Sequence, residues 1–552
     1  MTGIRAIRIG NCSDAGGDGP DQLYRLATEG PLDAVFADYL AEVNIAWRAL
    51  EGFLAHLNYQ NAAEVIARKG IKIVHDRGAL SPYGLYKATK ELLESKDLGD
   101  VKVAWVDGDN VTADVQAAQE AGKAEKFPHL DIDGQDLSAL ENRIVSANAY
   151  IGAKGIVAAL SAGAQIVICG RCCDASPVIG LASWWHGWSD MDYDRLAGSL
   201  IAGHLTECGP YTTGGNFCGF KSIPSLVRVG YPIAEVYDDG SSVITIHPDS
   251  NGAVTVDTVK AQLVYEIQGP NYLNPDVVAH LEGTRIKEDA PNKVRVTGVK
   301  GSPPPPTTKL AGCSFDGYQA EMATHAVGLD IKEKVELQRK QILDYLDQSR
   351  FSTIAIDAYG IMIRHVVQAP TREAIGHFTE AFMFCAMQGY GGFHPNMDLR
   401  TLAPKLYIRY FPARFQQSAL KVRVHVEGQL PIEVDPTKRA PLGSIVLARS
   451  GDKGGNANVG LWVRNADEWP WLRTFLSTQC FQNLLGDDYR PEYRVERFEL
   501  PHLHAVHFVT YGILQEGVSS SSIIDGFAKS FGEFVRARQV DIPVRFLERP
   551  WV

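Results

Sequence analysis

The sequence predicts an α/β protein: a doubly wound, mostly parallel sheet with a β-rich insertion, followed by a C-terminal α+β domain of ferredoxin-like type. Three observations carry this. Short β-branched runs alternate with segments of helical period up to about residue 170, and hairpin signals dominate from Leu226 to about Val299. After about residue 440, helical segments are interleaved with four or five strand-like runs.

Ile4–Ile9, Ala34–Ala37, Ile71–Val74, Val101–Val106 and Ile166–Cys169 read as buried strands. Between them, Tyr39–Leu57, Gln60–Lys69, Leu85–Leu93 and Asn142–Ala162 carry apolar residues at helical spacing. Parallel neighbours need a crossover, so repeated strand–helix–strand order implies parallel pairing. The cleft of such a sheet lies beyond the carboxyl ends of its strands.

Leu196–Cys208 reads as a helix stopped by Gly209-Pro210. Gly240-Ser241 separates Ile233–Tyr237 from Val243–Ile246 as a hairpin turn would, and Val254–Val256 leads into a further strand-like stretch; these make a β-rich subdomain over about 220–300. Ser302–Pro306 is an extended proline run. Residues 318–348 read as helix, and Phe351–Ile363, a helix at Thr371–Met387 and the strand-like Leu406–Tyr410 and Leu420–Val426 fit a mixed α/β layer. The polar, proline-bearing Pro431–Pro441 marks a boundary, giving a core of 1–435 and a second domain of 440–552. In that domain Ser444–Ala448, Asn458–Val463, Arg494–Leu500, Ala505–Tyr511 and Pro543–Phe546 read as strands, and Trp469–Leu485 and Ser522–Arg538 as helices.

A chain of 552 residues, 45% hydrophobic and 22% charged, is long enough for two or three packed cores. The formal charge of −11 and the lack of any run of five or six basic residues argue against a nucleic-acid partner. Nine scattered cysteines fit a reducing compartment better than a disulfide framework. No signal-peptide pattern opens the chain and no stretch of about 18 apolar residues occurs, so a cytoplasmic protein away from membranes is expected. Its expected partners are a small-molecule substrate and further copies of itself.

Each presumed strand ends in polar residues: Asn11–Gly19, Asp38-Tyr39, His75-Asp76-Arg77-Gly78, Asp107-Gly108-Asp109, and Gly170-Arg171-Cys172-Cys173-Asp174. Strand ends are solvated in any sheet, so scaffold alone explains some of these. Asp107 and Asp109 suit Mg²⁺ or a substrate hydroxyl. Arg171 beside Cys172 and Cys173 invites a thiolate, although cysteine is most often packing. On one helical turn His204, Glu207 and Cys208 can converge as an acid/base pair beside a thiol; as a metal site the trio lacks a fourth ligand. The glycine-rich stretch 10–18 is out of register with GxGxxG and carries acids at 14 and 18, which argues against NAD.

Arg449–Gly460 packs glycines, Lys453 and side-chain acceptors between two apolar runs; it reads either as an anion-binding loop or as a long hairpin turn with solvated charges, and it is not a Walker A motif. Gln388–His394 reads as a lid or a plain loop.

Several of these stretches together resemble the acyclic terpene utilisation AtuA family: Arg8–Asn11, Ala37–Glu42, Ala79–Leu85, Val103–Asp109, Ala147–Ala153, Gly170–Ser176, Gly203–Gly209, Thr213–Gly215 and 450–460. The likeness runs collinearly along nearly the whole chain. It implies an AtuA core, a C-terminal ferredoxin-fold module, and a part in degrading acyclic terpenes such as citronellol and geraniol through acyl-CoA intermediates. Cys172-Cys173 and Gly455 depart from the family, which resembles Val-Thr at the former and an acid at the latter.

The expected activity is that of a lyase or hydratase acting on a branched acyl-CoA or a hydroxy acid. Such chemistry needs a base, drawn here from Asp107, Asp109, Asp174 or Glu207, and polarisation by Arg171 or His204. It also needs an anchor, drawn from Ser450, Asp452, Lys453 and Asn456, with Asn11, Asp38 and Asn148 as further substrate contacts. The alternatives are an ester, lactone or thioester hydrolase using Cys208 or a serine, for which no GxSxG elbow is present, and a non-catalytic oligomeric assembly subunit.

Overall fold

A computed structural model describes residues 5–12, 21–39, 59–78, 81–267, 269–386, 388–396, 398–515 and 525–549. The expected helix over Tyr39–Leu57, the acids at 14 and 18, and the start of the Ser522–Arg538 helix lie outside these residues.

Strands β1 (Ile7–Asn11), β2 (Ala34–Ala37), β3 (Lys72–His75), β4 (Val103–Asp107), β5 (Ile144–Ala149) and β6 (Ile166–Cys169) open the chain. All but β5 lie parallel in the order β1-β2-β3-β6-β4. Side chains alternate between two apolar cores. Ile9, Phe36, Val74, Val106 and Val167 enter one, and Val35, Ile73, Val103, Ile166 and Ile168 the other. Burial on both faces is why these segments read as unbroken apolar runs.

Next come β7 (Ile233–Val236), β8 (Ser242–Thr245), β9 (Asn271–Leu273), β10 (Val278–His280), β11 (Arg285–Ala290), β12 (Lys293–Thr297) and β13 (Lys300–Ser302). Four of them, in the order β11-β12-β8-β7, continue the first sheet from β1 by antiparallel pairing, so most of the β-rich stretch is part of the sheet itself; β9, β10 and β13 form a small sheet. A second sheet combines β5 with β14 (Thr307–His325), β15 (Thr353–Tyr359), β16 (Met362–Ala369), β17 (His394–Pro395) and β18 (Lys405–Gln416). Then β19 (Val422–Val426) and β20 (Ile432–Val434) close the first sheet on the β4 side. That sheet is therefore mixed rather than mostly parallel: among its eleven strands, four pairings are parallel and six antiparallel.

Three expected segments of the core differ. Asn142–Ala162 splits into β5 and the helix Lys154–Ser161, because β5 finds its partner in distant β14. The span 318–348 begins as strand to His325, with Ala320 and Met322 buried at period two, before the helix Ile331–Tyr345. Val254–Val256 leads into the helix Val256–Leu263, started by a Thr255/Thr258 capping box. The loop 388–394 is tied down, since Tyr390 is buried and its hydroxyl donates to His325 O at 3.1 Å.

After β21 (Thr437–Pro441), the strands β22 (Leu447–Lys453), β23 (Asn456–Trp462), β24 (Arg494–Leu500) and β25 (Ala505–Tyr511) form an antiparallel sheet in the order β22-β23-β25-β24. Helices Trp469–Phe475, Thr478–Leu485 and Phe531–Arg536 belong to this module, and Phe481 stacks on Phe508 at 4.0 Å in its core. The final segment is β26 (Gln539–Pro543), paired with β21, followed by the short helix Val544–Leu547, so the expected strand Pro543–Phe546 is mostly helix. Among the described residues no helix is long and apolar enough to cross a membrane.

Candidate active site

The carboxyl ends of the parallel strands bring their polar residues together around one guanidinium. Arg171, two residues past β6, is 2% exposed. Its Nη1 donates to Asp38 at 3.4 Å, beyond β2, and to Asp76 at 3.2 Å, beyond β3; Nη2 donates to Asp174 at 2.5 Å. The guanidinium also lies 4.1 Å from the centre of the Tyr150 ring. Three carboxylates thus hold one buried guanidinium, and Lys309 approaches the other side of the cluster, 4.9 Å from the Tyr150 ring centre. Burial pushes Asp76 up to about 6, against the pull of Arg171 and of the Tyr39 backbone N–H.

Asp109 holds this arrangement from behind. Its Oδ2 accepts from the Arg171 backbone N–H and from Asn148 Nδ2, both at 2.8 Å, and burial raises its pKa to about 6. Asn148 in turn accepts from Ser146 Oγ at 3.0 Å. A Cβ at Gly170 would stand 2.0 Å from Asp109 Oδ1, so only glycine allows this approach.

A second pair lies at the end of the helix Tyr193–Glu207. His204 Nδ1 and Glu207 Oε1 are 2.9 Å apart, and both residues are buried. Burial raises Glu207, offset in part by His204; Asp174 raises it further and Arg171 lowers it, which places the pair within the electrostatic reach of the first cluster. Burial works against a charged His204, but the bond to Glu207 and the nearby Leu263 and Gln262 carbonyls outweigh it, so His204 is also raised. Both partners grip the proton that lies between them. Glu207 Oε2 is sealed from solvent and accepts no hydrogen bond. Asn11 Nδ2 donates to the Glu207 carbonyl at 3.0 Å, tying β1 to this helix end, and the Tyr272 ring packs on His204 at 5.1 Å.

Of the residues expected from sequence, Asn11, Asp38, Asp109, Asn148, Arg171, Asp174, His204 and Glu207 therefore meet at one edge. Asp107 does not join them. Its carboxylate is paired with Arg423 Nε and His425 Nε2, each at 3.0 Å, so Asp107 and Asp109 form no Mg²⁺ pair. Among the described residues no group of three or more His, Cys, Asp or Glu is set to hold a metal. Cys208 is half-exposed, near the Tyr265 phenol. Cys172 and Cys173 are poor nucleophiles: a bond to Cys169 and burial raise the first, and burial raises the second, so both stay protonated.

Ser450, Asp452, Lys453 and Asn456 lie in the C-terminal module, where Arg449–Gly460 is a hairpin of β22 and β23 turning at Gly454-Gly455. Ser450 Oγ donates to Ala528 O at 2.7 Å and accepts from Gly532 N at 2.8 Å, and Asn456 Oδ1 accepts from Gly512 N at 3.0 Å. A Cβ at Gly455 would lie 2.2 Å from Gln515 O, which accounts for glycine at this position.

Sequence reasoning assigned no role to Asp76, Arg77, Tyr150, Tyr272 or Lys309, whose ammonium lies 4.9 Å from the Tyr150 ring centre. The order His75-Asp76-Arg77-Gly78 after β3 was a usable signal. Lys309 and Tyr272 come from distant strands and gave none.

The fold and its charged strand ends define an α/β protein with an enzyme-like site at the carboxyl edge of a sheet. The chain belongs to the acyclic terpene utilisation family protein AtuA: residues 7–426 match that family's model, and residues 440–541 match the AtuA ferredoxin-like domain. No curated protein and no solved structure matches it.

Proposed function

We propose that this protein is a catabolic enzyme, in keeping with the acyclic terpene utilisation of its family's name, and that it acts as a lyase or hydratase on a branched acyl-CoA or a hydroxy acid. The observation that carries this reading is Glu207 Oε2, a buried lone pair with no donor, on a carboxylate raised by burial and steadied by His204. An unsatisfied buried acceptor costs about 1–3 kcal/mol, a cost that a proton-transfer role explains. A carboxylate with a raised pKa is a stronger base once ionised and a competent acid when protonated, which suits removal of a proton beside a carbonyl and its return to the leaving oxygen. In this reading Glu207 moves the proton and His204 supports its charge. Arg171, whose Nε is a buried donor without an acceptor, faces the oxygen on which negative charge develops; Asp174 holds the guanidinium, and Asp109 and Asn148 act as positioning residues.

The hydrolase alternative draws on Cys208 or a serine; Cys172 and Cys173 add no nucleophile to it, since both thiols are raised. The test is solvent deuterium incorporation, read by NMR, into a panel of branched enoyl-CoAs, hydroxyacyl-CoAs and hydroxy acids. The wild type exchanges the carbon-bound proton of at least one of them, and Glu207→Gln slows this by about 100-fold or more while its melting curve persists. Full exchange by Glu207→Gln, or none by the wild type across the panel, sinks the reading.

A further inference from the structure

We propose that Arg77 is an anion-binding residue at the rim of this site and holds a carboxylate or phosphate oxygen of the ligand; this rests on the reading of the site given above. Arg77 lies two residues past β3, beside Asp76, which binds Arg171. Its guanidinium lies over the Tyr39 ring at 4.5 Å, and the residue is only half-buried. Tyr39 is fixed in turn, because its backbone N–H donates to Asp76 Oδ1 at 2.8 Å and its ring meets that of His75 edge-on at 6.0 Å. The platform under Arg77 is thus bound to the same carboxylate that grips Arg171.

Arg77 differs from its neighbour in what surrounds the charge. Arg171 has three carboxylates, whereas among the described residues none lies within ion-pair distance of Arg77. Nε of Arg77 is sealed from solvent without an acceptor, which costs about 1–3 kcal/mol. A guanidinium stacked on an aromatic ring, with an unmet donor and no counter-ion, presents a planar fork that carboxylate and phosphate groups fit in bidentate fashion.

The backbone supports the same polarity. The Arg77 N–H donates to His75 Nδ1 at 3.2 Å, which fixes the turn. A Cβ on Gly78 would stand 2.3 Å from Cys169 O, so the end of β3 packs tightly against the end of β6. Ser81 caps the 13-residue helix Pro82–Glu94, and its first turn holds no acidic residue to cancel the positive end of the helix dipole. The Nη donors of Arg171 are already taken by Asp38, Asp76 and Asp174, so the acid or phosphate end of a ligand is held at Arg77, leaving the uncharged reacting carbon for the Glu207 end. This places the substrate class as one with an anionic terminus, either a free carboxylate or the phosphates of a thioester carrier.

The experiment is isothermal titration of the full-length chain with glutarate and, separately, with coenzyme A, using wild type, Arg77→Met and Arg77→Lys. The wild type binds at least one probe: glutarate alone identifies a carboxylate subsite, coenzyme A alone a phosphate subsite. Arg77→Met weakens that binding about tenfold or more, and Arg77→Lys restores part of it because a point charge replaces the fork. Unchanged affinity in Arg77→Met, or no binding of either probe to the wild type, overturns the assignment. The two readings separate cleanly. Loss of binding in Arg77→Met beside full proton exchange in Glu207→Gln keeps the anion site and removes the proposed base, and the reverse pattern keeps the base and removes the anion site.

Discussion

Two regions of this molecule concentrate glycine, charge and side-chain acceptors, and they use them in opposite ways. At the first sheet's carboxyl edge, Asp38, Asp76, Asp109, Arg171 and Glu207 come from separate elements and meet as a buried network. In the hairpin of β22 and β23 the polar residues are neighbours in sequence, and alternation along the strands disperses them: Ser450 turns inward to hold the segment before Phe531–Arg536, and Lys453 stands in solvent beside a two-residue glycine turn. Density of polar residues along a chain marks a turn. Polar residues that follow several separate strands mark a site, because parallel pairing forces their ends to one side.

The largest test of this contrast is Arg171→Met. Removing the cation leaves Asp76, whose side chain is buried, without its counter-ion, and breaking a buried pair in this way costs about 3–5 kcal/mol. The urea midpoint of the full-length chain should fall accordingly, with no matching fall for any single substitution of the hairpin charges. A loss below about 1 kcal/mol would mean that the two regions do not differ in kind.

The second test uses pH. Asp109 titrates near 6 in the folded chain against an ordinary 3.8, because burial disfavours its charge. The folded state therefore holds this proton more tightly than the unfolded chain. The resulting stabilisation is present at low pH and is lost as pH rises through about 4 to 6. Asp109→Asn keeps the shape and removes the titration, so its stability relative to wild type should improve by about 2 kcal/mol between about pH 4.5 and about pH 7. A pH-independent difference in urea midpoints would show that the Asp109 charge is compensated in place.

What could be read from the chain follows the same division. β1, β2, β3, β4 and β6 were legible because strands buried on both faces are short continuous apolar runs, and their polar ends pointed to the right edge. β5 and the second half of β14 read as helix in the sequence because their apolar residues are interrupted and their partners lie far away in sequence. Asp107 and Asp109 looked equivalent as an Asp-Gly-Asp turn. Gly108, at φ +110° and pressed against Lys421 O, reverses the chain between them, and Arg423 and His425 then claim Asp107. Nothing local announces residues more than three hundred positions downstream. The need for glycine at 455 is also hidden in the sequence, since it comes from the approach of Gln515 O.

The smallest effects lie in the hairpin, and they separate its one buried polar group from its exposed charge. Ser450→Ala leaves the Gly532 N–H without its acceptor in a buried setting and should cost about 1–2 kcal/mol. Lys453→Ala, on an exposed strand end next to Gly454, should change stability by less than about 0.5 kcal/mol and leave turnover on any identified substrate as it is. Both are read from urea midpoints and steady-state rates of the same preparations. A Lys453→Ala enzyme with normal stability and a KM raised about tenfold would return the hairpin to the list of substrate contacts, and the contrast between the two regions would then be one of distance from the chemistry rather than of function.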